Sequence, residues 1–117
     1  PEVYVNFIIE LDDPMFFDLN SVGNSVIIPN EGYKGIIITH TIEGYSAYDA
    51  TCTYDPSHSW GRVKPVDGGI YAIDTVCGSK FWLMYDGMAD ADGPASIPLK
   101  MYVADYNSNL RRLHVHN

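Results

Sequence analysis

The chain has 117 residues, 46% of them hydrophobic and 13% aromatic, enough for one domain with a real core. Fifteen acidic residues against seven basic ones leave a formal net charge of −8, and the densest cationic feature is the pair Arg111-Arg112, which excludes binding to a phosphate backbone. Apolar runs such as Phe7-Ile8-Ile9 and Ile36-Ile37-Ile38 are far shorter than the roughly 20 residues of a membrane-spanning helix, so no transmembrane segment is expected.

In chain order the pattern is one of strands. Val3, Val5, Phe7 and Ile9 alternate with Tyr4, Asn6, Ile8 and Glu10, which predicts a strand that stops at Asp12-Asp13-Pro14. Ser25 to Ile28 is a second strand, closed by the turn Pro29-Asn30-Glu31-Gly32. Gly35 to Thr41 is a β-branched run expected at the centre of a sheet, and Gly44 turns the chain into Tyr45 to Asp49. Together these predict an antiparallel meander. Prolines and glycines interrupt the chain every few residues, and no window of a dozen repeats apolar positions at helical spacing, so no helix is expected.

From Thr51 to Pro65 turn formers and polar residues dominate, which predicts a long loop. Asp67-Gly68-Gly69 leads a short hairpin through Ile70 to Ile73, a second loop covers Asp74 to Lys80, and Phe81-Trp82-Leu83 resumes β structure. The last strands are expected at Leu99 to Ala104 and Leu110 to Val115, around the turn Asn107-Ser108-Asn109. Two loops thus flank one hairpin, and each carries one of the two cysteines, Cys52 and Cys77. Such loops on a rigid scaffold are where chemistry is usually placed. Cys52 and Cys77 lack the four-ligand spacing of a structural zinc site. The chain also lacks Gly-x-Ser-x-Gly, a phosphate-cradling glycine loop, His-Glu-x-x-His and Cys-x-x-Cys, so hydrolase and kinase chemistry have no support.

The run Asp49-Ala50-Thr51-Cys52-Thr53-Tyr54, then Cys77-Gly78-Ser79-Lys80-Phe81, Asp86-Gly87-Met88, Gly93-Pro94-Ala95 and Pro98-Leu99 resembles the Rieske [2Fe–2S] domain family. The resemblance covers about the C-terminal two-thirds of the chain. It implies an all-β, Rieske-like antiparallel sandwich or barrel over residues 1–117, with a small two-loop subdomain at about 50–86. In that family a Cys-x-His loop and a Cys-x-x-His loop hold the cluster, and the second His precedes Gly-Ser-x-Phe. Anchored on Gly78-Ser79-Lys80-Phe81, the ligand positions are Cys52, Tyr54, Asp74 and Cys77. Anchored on Cys77 as a cluster cysteine, Lys80 falls at the His position, where a protonated amine cannot ligate iron. Under either alignment both family histidines are replaced, and the imidazoles are what raise a Rieske potential.

The resemblance therefore implies a degenerate site. No cofactor is expected; the two cysteines would form a Cys52–Cys77 disulfide in place of the cluster, and the domain would act as a binding or structural module with a protein or small-molecule partner at its two-loop tip. The alternative is an electron carrier of unusual ligation with a [2Fe–2S] cluster serving an oxidoreductase, and two thiols in a reducing compartment stay open as well. An enzyme proper is not expected. The resemblance further implies the bacterial cell-envelope branch, periplasmic or on the outer surface and possibly lipid-anchored, with any targeting segment removed ahead of Pro1.

Other groups receive bland readings beside functional ones. His58 could reach the second loop as a substitute ligand, or be a solvated turn residue. His114 and His116, two apart on one face of the last strand, have a spacing that can chelate a metal adventitiously, against the simpler account of a fraying terminal strand. His40 is expected to be a strand residue with a bonded or half-exposed ring. Asp86, Asp90 and Asp92 could offer calcium oxygens but lack a terminal bidentate Glu, so a solvated acidic turn is expected. Trp60, Tyr54 and Tyr85 could form an aromatic tip, or simply pack as strand aromatics do.

Overall fold

The computed structural model describes residues 3–54, 62–66 and 69–117. Among the described residues ten strands run in chain order: β1 (Asn6–Glu10), β2 (Ser25–Ile28), β3 (Ile36–Thr41), β4 (Gly44–Asp49), β5 (Lys64–Val66), β6 (Tyr71–Ile73), β7 (Lys80–Trp82), β8 (Met88–Ala89), β9 (Met101–Asn107) and β10 (Arg112–His116). They form a six-stranded antiparallel sheet in the order β1-β10-β9-β4-β3-β2 and a four-stranded sheet in the order β5-β6-β7-β8. Of the expected four-strand meander only β2-β3-β4 is present, because β1 lies at the opposite edge paired with β10; β3 is interior, one strand from the edge and not at the sheet's middle.

The two faces of β3 decide the architecture. Ile36 and Ile38 point into one core with Val5, Ile9, Leu11, Leu19, Leu113 and Val115. Ile37 points the other way, into a second core with Tyr48, Cys52, Val63, Phe81 and Leu83, which the small sheet completes. A run apolar on both faces is what a strand covered on both sides requires. The small sheet is inserted between β4 and β9, which are themselves paired through Ala47↔Tyr102 and Tyr48↔Met101. The Asp49 amide donates to the Lys100 carbonyl at 2.8 Å, so the insertion leaves and re-enters the large sheet at one place.

Three local expectations are corrected. After Pro14 the chain forms a 3-10 helix, Pro14–Asn20, where no helix was expected. Asp13 caps it by accepting from the Met15 amide, with Pro14 in the first turn, and a helix this short has no room to show helical periodicity. The long loop expected through Pro65 ends earlier, because Lys64–Val66 is a strand; Pro65 is tolerated there since β5 is an edge. Finally, β1 starts at Asn6, three residues later than the alternation suggests, although Val5 and Ile9 are buried and Tyr4 and Ile8 exposed as that alternation requires.

Candidate site at the two loops

The first loop leaves β4 at Asp49. That carboxylate is buried and accepts from the amides of Tyr33 (2.8 Å), Lys34 (3.4 Å) and Thr51 (3.0 Å), the Thr51 hydroxyl (2.5 Å) and the Tyr102 hydroxyl (2.7 Å). Burial alone would raise its pKa, but the donors outweigh burial and hold it below the usual carboxylate range. This clamp orients the strand exit that carries Cys52. The sequence shows only an Asp at the end of a predicted strand, and nothing local to it marks that Asp as buried.

The second loop is a tight turn between β6 and β7. The Asp74 amide donates to the Ser79 carbonyl (2.9 Å), the Gly78 amide donates to the Asp74 carbonyl (2.8 Å), and the Asp74 side chain accepts from the Val76 amide (2.8 Å). Gly78 has φ of +81°, which a glycine adopts without strain. The Gly93-Pro94-Ala95 segment packs behind this turn. The Ala95 amide donates to the Ser79 hydroxyl (3.2 Å), and a Cβ on Gly93 would come within 3.2 Å of Ser79 Cα. The Thr53 hydroxyl donates to the Ile97 carbonyl at 2.5 Å, tying the first loop to the same segment.

The result is a convergence of three donors. Ligand atoms of Cys52, Asp74 and Cys77 all lie within 4.8 Å of one another. The two sulfurs are 3.8 Å apart, and Cys77 Sγ is 3.3 Å from Asp74 Oδ2 and 3.1 Å from Ser79 Oγ. Cys52 is fully buried and Cys77 partly exposed. Burial tends to raise the Asp74 pKa, but bonds from the Val76 amide and the two thiols bring it below the ordinary value. The two sulfurs face each other without a bond between them, at 3.8 Å against the roughly 2.05 Å of an S–S bond.

The remaining predicted positions separate from this group. Tyr54 is exposed. Lys80 is turned away, its ammonium 4.1 Å from the Tyr71 ring centre and 4.6 Å from that of Trp82. His40 is a half-buried strand residue, as expected, stacked on Tyr45 with Nδ1 2.8 Å from the Leu19 carbonyl. His58 and Trp60 lie outside the described residues. Asp86, Asp90 and Asp92 do not converge as ligands; Asp90 instead accepts from the Trp82 indole at 3.2 Å.

A Rieske centre needs two thiolates on one iron and two imidazoles on the other. Among the described residues the two loops offer two sulfurs, one carboxylate and no imidazole. The donors of the described residues do not supply the two imidazoles of that cluster. Three clustered donors suit a single ion, and two touching sulfurs suit a disulfide.

Comparison with solved structures places the fold. The chain is similar to a chain from the complex of reduced oxygenase and oxidized ferredoxin in carbazole 1,9a-dioxygenase, with a TM-score of 0.56, 17% identity and 82% of each chain covered. It is similar to the Sphingomonas yanoikuyae B1 ferredoxin at a TM-score of 0.55 and 20% identity, over 83% of this chain and 88% of that one. A proposed NADH-dependent nitrite reductase small subunit from Mycobacterium tuberculosis gives 0.51 and 16%, over 99% and 97%. The all-β fold is therefore Rieske-like, as the motifs implied. No family profile and no curated protein matches the chain.

Proposed function

We propose that this Rieske-like domain is a redox-linked docking module in which the Cys52–Cys77 pair stands in place of the cluster. The observation that carries the reading is the 3.8 Å contact between the two sulfurs, one from each loop. Small side-chain and loop adjustments close that gap. Closure removes two protons and two electrons from the thiols; a partner disulfide accepts both and becomes a dithiol. Exposed apolar side chains beside the pair, Tyr54, Val76 and Ile97, supply a docking rim for a protein partner. If the bridge is permanent, the domain is a binding or structural module held by a disulfide, which suits the periplasm or outer surface, with or without a lipid anchor, and the cell-envelope branch. That localisation belongs to the proposal.

A second reading has its own support, namely the likeness to ferredoxins and the convergence of Cys52, Asp74 and Cys77. In it the same loops bind iron, as a [2Fe–2S] or other centre of unusual ligation, and the domain carries electrons to an oxidoreductase. The experiment is intact mass before and after thiol alkylation across a glutathione redox series, with iron analysis and absorbance of protein reconstituted anaerobically. A reversible two-proton mass change on colourless, iron-free protein is the expected result. Stoichiometric iron with a visible charge-transfer spectrum would replace it by the electron-carrier reading. A bridge that never reduces would leave only the structural module.

A further inference from the structure

A second group of ligating side chains lies away from the two loops, on the outer face of the large sheet. β10 is paired on both sides, to β1 and to β9, so the last strand is not frayed. Leu113 and Val115 point into the core, which turns His114 and His116 outward together. Across the ladder, Asp105 is the register partner of His114, and Asn6 that of His116. Ligand atoms of Asp105, His114 and His116 all lie within 4.8 Å of one another, and the two rings are 4.5 Å apart.

Each ring is also held by an oxygen on its other nitrogen, as imidazoles that bind metals commonly are. His114 Nε2 is 2.5 Å from Asn6 Oδ1, and His116 Nδ1 is 3.0 Å from the Asn117 carbonyl. Each ring can thus donate one N–H to a fixed oxygen, which leaves Nδ1 of His114 and Nε2 of His116 with a lone pair to give. Without metal His116 Nε2 donates to Asp105 Oδ2 at 3.0 Å, so an ion would displace that proton and take both atoms as ligands. Donors around a tetrahedral zinc at about 2.1 Å stand about 3.4 Å apart, so small side-chain rotations would bring the three groups onto one ion. The nearby cation does not oppose this, because Arg112 is paired with Glu10 at 2.6 Å.

We propose that Asp105, His114 and His116 bind a divalent transition ion of the zinc type, with Asn6 positioning the His114 ring. Imidazole and carboxylate donors favour zinc, copper or nickel over calcium or magnesium. Three protein ligands leave a position for water or an incoming donor, and the ion would join β9 to β10.

The test uses the intact chain and Zn²⁺ alone. Zinc titration followed on imidazole ring-nitrogen NMR signals separates this group from the cysteine pair, since thiolate binding leaves those signals unmoved. The expected result is saturable perturbation of His114 and His116, not His40, at one ion per site. Asp105→Asn and Asn6→Ala should each weaken binding about tenfold or more while the apo protein melts as before. His114→Gln should remove the response. Unchanged affinity in both Asp105→Asn and Asn6→Ala would mean an adventitious ion only, held by a bare His pair, and would overturn the proposal. So would the absence of any shift at His114 and His116.

Discussion

Asp49 shows how one side chain can hold a loop that it does not belong to. Its carboxylate joins the turn at Tyr33 and Lys34, the start of the first loop at Thr51, and β9 through Tyr102. Asp49→Ala would leave buried donors unpaired, and we expect a loss of about 3 kcal/mol in denaturant unfolding. The pH dependence has a definite sign. The folded pKa lies below the unfolded value of about 3.9, so this stabilisation is complete above about pH 5 and is lost as pH falls through the folded value. Asp49→Asn should therefore flatten the acid limb of the stability curve, as unfolding midpoints between pH 7 and pH 3 would show. Tyr102→Phe, which removes one donor and keeps the ring, should cost about 1 kcal/mol.

At the scale of elements, the small sheet is held to the large one by a few close contacts. The Tyr48 hydroxyl on β4 donates to the Leu83 carbonyl just beyond β7 at 2.6 Å, both being buried. The Tyr48 ring also lies only 3.0 Å from where a Cβ on Gly87 would be, and Gly87 has φ of +68°. Gly87→Ala thus meets backbone strain and a rigid neighbour together; a loss of about 2 kcal/mol in unfolding free energy is expected. Tyr48→Phe keeps the packing and should cost about 1 kcal/mol, with faster amide exchange across β6 and β7 than across β3. At the other contact, Ser25 on β2 donates to the Gly69 carbonyl at 2.9 Å and lies 2.7 Å from the Thr39 hydroxyl. Any side chain at Gly69 would strike Ser25 within 2.6 Å, so that approach is reserved for glycine.

For the whole molecule, stability should be uneven. The large sheet has its own core, whereas the two-loop region shares a core that includes Cys52 and Ala95 from its connecting segments. A disulfide across the two loops encloses about 25 residues and would add about 3 kcal/mol to such a region. The Cys52→Ser, Cys77→Ser double variant should lose protection at residues 63–66 and 69–73 while β3, β9 and β10 stay protected, as hydrogen exchange would report. Equal protection in variant and oxidised parent would show that the bridge is not the staple of this region.

Much of this was legible in the sequence, because strand alternation and turn chemistry are local. The alternation through Phe7 and Ile9, the β-branched run at Ile36 to Ile38, and the turn at Pro29 to Gly32 each depend on neighbours a few residues away. The Gly-Ser-x-Phe and Gly-Pro-Ala elements likewise pointed to the second loop and the segment behind it. What only the tertiary structure decided is which distant groups meet. Asp74 beside two thiols, Asp49 under five donors, and Asp105 opposite a His pair depend on sheet register and loop packing across tens of residues. Those contacts follow from burying two cores on the two faces of β3, and spacing along the chain carries no record of which strands become neighbours.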